Sequence, residues 1–243
     1  MKKIITVFVL LMLLNSCDAK KVENDDPQVV DSTKGIIDNS QIGILEENLD
    51  NEGSFEGQIT FQVIMQTKGK QKAFASLKEV FGDTVIYTFS KGRYAMQYVD
   101  GKVEYIKYLR DNNQYRKMLW LDTLYFLNAS IENSTLYSVM KEKTDEKVLG
   151  RKLEMVSIIT NSFKKYYYYD PNMYMNPEYF KRHTYGYENK YYELAKAPYI
   201  YAVIEYEELR IILKPLSIVE KKIPDEFFIL PNYIIKASPL MDE

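Results

Sequence analysis

The sequence predicts a mainly β protein of the α+β kind, a strongly curved antiparallel sheet or open β-barrel wrapping one or two helices. Three observations carry this. The 243 residues hold 22 Tyr and 11 Phe against 10 Gly and 8 Pro, and aromatic side chains suit pleated, half-buried surfaces better than helices. From Phe55 onward, apolar residues recur at every second position, the period of a strand with one buried face. Turn dipeptides such as Lys91-Gly92 and Asp100-Gly101 separate these runs at short intervals, which gives consecutive antiparallel strands.

The chain begins with a segment of another kind. Met1-Lys2-Lys3 precedes an apolar run from Ile4 to Leu14, followed by Asn15-Ser16-Cys17. A basic start, a short apolar stretch and a small residue before a cut define a secretory signal, and the run is too short for a mature membrane span of about 20 residues. Residues 1–16 are therefore expected to be a signal peptide. Leu14-Asn15-Ser16-Cys17 resembles a bacterial lipobox, in which the Cys thiolate is the nucleophile that takes the lipid. Cys17 is the expected lipidation site, and the chain has no other Cys.

Residues 17–53 read as an acidic, largely flexible tether. Between positions 18 and 52 stand ten acids and three bases, a net charge of −7 with little aromatic content. From residue 53 on there are 27 bases and 24 acids. The net charge of −2 for the whole chain thus hides a mildly basic folded part, residues 54–240. Neither value is the basic excess of a nucleic-acid binder.

The strands follow in order. Phe55 to Gln66 alternates cleanly. Lys70 to Gly82 breaks the pattern with Phe74, Leu77 and Phe81 at helical spacing and Gly82 placed as the cap, which predicts the chain's best helix. Val85 to Phe89, Tyr94 to Tyr98 and Val103 to Leu109 form a meander, with Asp100-Gly101 signalling a two-residue type I′ hairpin. Further strands are expected at 115–121, around the single Trp, Trp120, and at 136–141, 153–159, 163–169, 199–206 and 209–221.

Between Tyr166 and Tyr206 lie 13 of the 22 tyrosines. A run of four in a strand puts two on each face. Strand propensity accounts for many of them, while the apolar body and polar tip of Tyr also suit an interface with protein or glycan. The insert carrying Pro171, Met173, Met175, Pro177 and Phe180 is the expected lid or partner-binding loop.

Three segments together resemble exported proteins of the DUF4412 type. They are Phe55-Glu56-Gly57-Gln58-Ile59-Thr60-Phe61, the turn Glu146-Lys147-Val148-Leu149-Gly150-Arg151-Lys152, and the closing Pro224-Asp225-Glu226-Phe227-Phe228-Ile229-Leu230-Pro231-Asn232-Tyr233. The resemblance covers about residues 55–235. It implies a fold like that of the lipoprotein carriers of the LolA and LolB type, an incomplete barrel with an apolar cavity, and it brings no catalytic residues with it. The signal and acidic leader resemble those of Bacteroidetes lipoproteins, which implies the cell envelope: an outer-membrane lipoprotein at the periplasmic face or the cell surface.

Enzyme chemistry is not expected. His183 is the only imidazole and reads as a surface residue in a basic loop; Glu207-Glu208 read as turn residues. No nucleophile elbow, phosphate loop or metal-ligand pair stands in the sequence. The expectation is a binding protein that holds an acyl chain or other apolar ligand, or a lipoprotein, in the concave face of the sheet. Phe61, Met65, Phe74, Tyr87, Met96, Tyr105, Trp120, Tyr167 and Tyr169 are the candidate contacts. The alternative is a cell-surface module that recognises protein or glycan through the Tyr-rich segment 166–206. The expected state is a monomer tied to the membrane by its lipid, with no cofactor, metal or nucleic-acid partner.

Overall fold

The structure is a computed structural model that describes residues 53–67, 77–110, 115–120, 123–231 and 235–237. The expected signal peptide, Cys17, the tether up to residue 52 and Phe74 lie outside the described residues. Twelve strands follow one another: β1 (Gly57–Thr67), β2 (Thr84–Ser90), β3 (Arg93–Val99), β4 (Val103–Leu109), β5 (Tyr115–Trp120), β6 (Thr123–Asn128), β7 (Leu136–Val148), β8 (Arg151–Thr160), β9 (Lys164–Tyr169), β10 (Tyr199–Glu205), β11 (Leu209–Glu220) and β12 (Ile235–Ala237). The helix α1 (Glu188–Ala195) lies between β9 and β10.

All twelve strands join one sheet in the order β12-β6-β5-β4-β3-β2-β1-β11-β10-β9-β8-β7. The early β1 pairs with the late β11 and so closes two meanders into one sheet. Neighbours run antiparallel, apart from the parallel β6–β12 pair. β7 and β12 are the two ends, so the sheet is not closed into a barrel.

The alternation read from the sequence decides which face is inside. Ile59, Phe61 and Val63 of β1 are buried while Gln62 is exposed. Cross-strand partners share a face, so the row Phe89, Tyr94, Tyr108 on β2, β3 and β4 falls on the same side. These residues, with Val156 and Tyr167 of β8 and β9, form one continuous core.

Tight turns set the register. Ser90 pairs with Arg93 across Lys91 (φ 49) and Gly92 (φ 75), and Val148 pairs with Arg151 across Leu149 (φ 50) and Gly150 (φ 76). Both are two-residue turns with positive φ at both centres, the type I′ pattern. Gly92 is doubly constrained, because a Cβ there would stand 2.6 Å from the Tyr179 side chain. The turn expected at Asp100-Gly101 is of another kind. Three residues, 100–102, separate β3 from β4, and only Asp100 is left-handed (φ 61). Gly101 instead lets the loop pass close to Val80 and Phe81.

The expected helix at 70–82 is described only at 77–81, where Gly82 ends it by donating its N–H to Lys78 O. Among the described residues, the insert 170–198 packs on the concave face. Its 3-10 turn (Pro177–Phe180) and α1 bury Tyr179, Phe180, Tyr191 and Tyr192, and the Phe180 and Tyr192 rings stack at 3.7 Å. Sequence periodicity missed α1 because it is eight residues long and its N-cap, Tyr187, makes no side-chain capping bond.

A second, smaller apolar cluster lies on the convex face. Ala95 and Leu109 are covered there by Ile223 and Phe228 of the C-terminal segment. Lys107 Nζ donates to Phe227 O at 2.6 Å and to Ile229 O at 3.3 Å, and Arg93 pairs with Asp225. The closing Asp225-Glu226-Phe227-Phe228 motif is thus a strap across β3 and β4.

Candidate functional site

The concave face holds a half-open cavity of about 260 Å³. Tyr125 of β6 and Tyr167 of β9 both line it. In sheet order these strands are eight spacings apart, and at about 4.8 Å per spacing a flat sheet would hold them about 38 Å from one another. One small cavity can touch both only because the sheet curls strongly.

The walls are aromatic and aliphatic: Met65 and Val63 of β1, Val85 and Tyr87 of β2, Met96 of β3, Ile106 of β4, and Ile211 and Leu213 of β11. Phe81 of the short helical turn reaches the rim and packs on Tyr98 at 5.2 Å. Tyr167 and Tyr199 stack at 4.5 Å with an interplanar angle of 11°, and Tyr87 meets Tyr199 edge to face at 5.7 Å.

One side of the cavity is polar. Lys165 on β9 is only 8% exposed; its Nζ donates to Gly186 O at 2.8 Å and lies 3.4 Å from Glu188 Oε1. The Tyr167 hydroxyl donates to the same Oε1 at 2.8 Å. Gly186 has φ 63, and a Cβ there would stand 2.3 Å from Lys165 Nζ, so the residue must be Gly for the lysine to lie where it does. The loop that carries Gly186 is fixed to the β6–β7 connection: Tyr185 N–H donates to Ala129 O, Thr184 Oγ1 to Ser130 O, and Gly186 N–H to Glu132.

Five buried tyrosines of the concave core are held neutral, and four of them, Tyr87, Tyr167, Tyr192 and Tyr199, line the cavity. Burial pushes the hydroxyls of Tyr87, Tyr167, Tyr191, Tyr192 and Tyr199 well above their ordinary value, and the negative field of Glu188 adds to this at all five. The buried wall therefore carries protonated hydroxyls, which both donate and accept.

His183 corrects an expectation. It is 0% exposed, not on the surface. Its Nε2 lies 3.0 Å from the Tyr94 hydroxyl, and its ring packs 4.4 Å from Tyr108 and 5.9 Å from Tyr94. A flat imidazole fits among these rings while its polar edge finds the phenol.

Of the residues nominated from sequence, Met65, Tyr87, Met96 and Tyr167 line the cavity. Phe61 is fully buried behind it, against Tyr87 and Tyr199. Tyr169 is turned away: Tyr191 of α1 packs beside it, and its hydroxyl donates to Glu154 Oε2 at 2.7 Å. Tyr105 is on the other face of the sheet, 4.7 Å from Lys107 Nζ. The cause is a bulge between Val103 and Tyr105 in the β4–β5 register, which shifts the alternation so that Val103, Ile106 and Tyr108 share the concave core. Trp120 ends β5 opposite Val103 and Thr123, and its side chain lies outside the described residues.

Lys165 and Glu188 were not nominated. Lys165 carried a readable signal, since alternation back from Tyr167 places it on the buried face, where an unpaired lysine is rare. Glu188 carried none, because only the fold of the insert brings it there.

No protein-family model matches the chain, and no curated protein matches it. Among solved structures, two crystal structures of PNGF-II align with 76% of this chain at a TM-score of 0.42 and identities of 8% and 11%. The chain spans about a third (32%) of the length of those proteins. Likeness at that level carries neither fold nor activity across.

The Tyr-rich segment itself is turned inward. Of its 13 tyrosines, Tyr174 is the one that is exposed; Tyr167, Tyr169, Tyr179, Tyr191, Tyr192 and Tyr199 are buried and the rest half-buried. The exposure that a surface recognition role through this segment needs is therefore small.

Proposed function

We propose that this chain is an exported, lipid-anchored binding protein that holds a small apolar or amphiphilic ligand in the concave face of its sheet. The observation that carries the reading is the cavity of about 260 Å³, walled by Met, Tyr and aliphatic side chains with the Lys165–Glu188 pair in its lining. Its volume is close to the low end of the roughly 300–1,000 Å³ of small-molecule sites, which suits a short acyl chain or the end of a longer one. Met65 and Met96 are flexible, polarizable wall residues that adapt to varied apolar shapes.

Binding is favoured over catalysis because the cavity's ionisable groups already serve one another. Glu188 accepts from Tyr167 and Lys165, and His183 meets Tyr94. In this reading Cys17 takes the lipid, the acidic tether spaces the domain from the outer membrane, and the fold is of the LolA-like, DUF4412-resembling kind that the strand motifs imply. The lid role expected of the insert fits as well, since Phe180 and Tyr192 cover the sheet.

Native mass spectrometry of the protein purified from its own host tests the reading, alongside displacement of the neutral dye N-phenylnaphthylamine. The expected result is a bound small molecule, or a dye site that alkyl compounds empty. A protein that is ligand-free and takes up no dye would overturn it.

A further inference from the structure

Among the described residues, Lys165, Glu188 and His183 are the ionisable side chains other than tyrosines that line the cavity. His183 is turned to Tyr94. Lys165 and Glu188 form a pair whose side chains are 10% and 14% exposed. The ammonium is embedded: it lies 4.7 Å from the Phe163 ring centroid and 5.7 Å from that of Tyr167, and donates to a backbone carbonyl. Its charge is thus met by two ring faces, a carbonyl dipole and a carboxylate. The carboxylate is differently placed. Both of its described bonds, from Tyr167 and from Lys165, fall on Oε1, which leaves Oε2 as the remaining acceptor of a residue that lines the cavity.

We propose that this cavity selects a neutral amphiphile with a hydroxyl-bearing head over a fatty acid of the same chain length, the head donating to Glu188 Oε2 beside the compensated Lys165–Glu188 pair. This rests on the reading of the cavity as a ligand site. A hydroxyl donates to the carboxylate and accepts from a protonated tyrosine, so both its capacities are used. A carboxylate head would set a second negative charge beside the largely buried Glu188, while the lysine that would balance it is already neutralised. The tail lies along Val63, Met65, Ile106, Ile211 and Leu213.

Competition of decanol and decanoate for the N-phenylnaphthylamine site, at about pH 8 where decanoate is ionised, tests the proposal on the full chain. Decanol is expected to bind at least about tenfold more tightly, the effect of one uncompensated like-charge contact. Glu188→Gln leaves Lys165 uncompensated and should narrow or reverse the ratio; Lys165→Met leaves Glu188 uncompensated and should widen it. A purely structural role for the pair would weaken both probes alike in both variants. Equal or tighter binding of decanoate by the unaltered protein overturns the head-group inference and leaves the cavity reading standing. Uptake of neither dye nor alkyl probe overturns both.

Discussion

The Tyr167 hydroxyl donates to Glu188 Oε1 at 2.8 Å. That bond ties β9 of the curled sheet to the first residue of α1, the helix that covers it. It also fixes the carboxylate that faces the cavity, so one contact serves both the packing of the insert and the polarity of the site.

Tyr167→Phe keeps the ring that stacks on Tyr199 and removes only this donor. Hydrogen bonds to charged groups contribute about 1.5–3 kcal/mol, so urea unfolding should show a loss of that order with an unchanged m-value. Glu188 would then lean on Lys165 alone. An unaltered midpoint would show that the bond does not hold α1 down.

The buried tyrosines give the protein an alkaline limit. A tyrosine in the unfolded chain ionises near 10, whereas Tyr87, Tyr167, Tyr191, Tyr192 and Tyr199 are held well above that by burial, and Tyr169 is pushed up to about 12, chiefly by burial. Above 10 the unfolded chain gives up protons that the folded one keeps. Stability is therefore fully present below pH 10 and is lost as pH rises through the folded values. Tyrosinate absorbance should rise in two stages, the second coinciding with loss of circular dichroism. A single stage near 10 with the fold intact would contradict the burial of these rings.

Gly186→Ala should act on Lys165. Its Cβ would meet Nζ and would sit at φ 63, which side chains rarely adopt. A loss of about 1–3 kcal/mol is expected from the strain, read as a lower melting temperature. Displacing the ammonium from Glu188 should also widen the preference for decanol over decanoate, in the same direction as Lys165→Met. A variant as stable as its parent would show that the loop relaxes freely at this point.

Phe228→Ala tests the strap on the convex face. Phe228 is buried against Ala95 and Leu109, and the Arg93 guanidinium lies 4.5 Å from its ring centroid. Truncation of a buried Phe costs about 3–5 kcal/mol, and the segment from 223 onward should become sensitive to limited proteolysis. Ligand binding in the concave cavity should persist in the folded fraction, because the two clusters are on opposite faces of the sheet.

Period-two alternation and turn residues were enough to locate β1 to β5 and β7 to β11, since a strand with one buried face writes that face into every second residue. The same signal placed Met65, Tyr87, Met96 and Tyr167 on the concave face, where they line the cavity. It failed at Tyr105, where a bulge after Val103 shifts the alternation by one residue, and nothing in the local sequence marks a bulge. The reading of His183 as a surface residue, made from its basic loop, failed because the burial of a loop residue is set by what packs on it and not by its neighbours in the chain.

The sequence by itself determined a β-rich chain, its inward-facing aromatic residues and the charge division between an acidic leader and a faintly basic domain. Only the tertiary structure decided that the sheet curls without closing, that the insert 170–198 packs on its concave face, and that Lys165 and Glu188 meet there. The division has a physical cause. Strand periodicity is local and repeats along the chain, whereas curvature, bulges and the meeting of β9 with α1 arise from packing between segments whose contact no short-range pattern encodes.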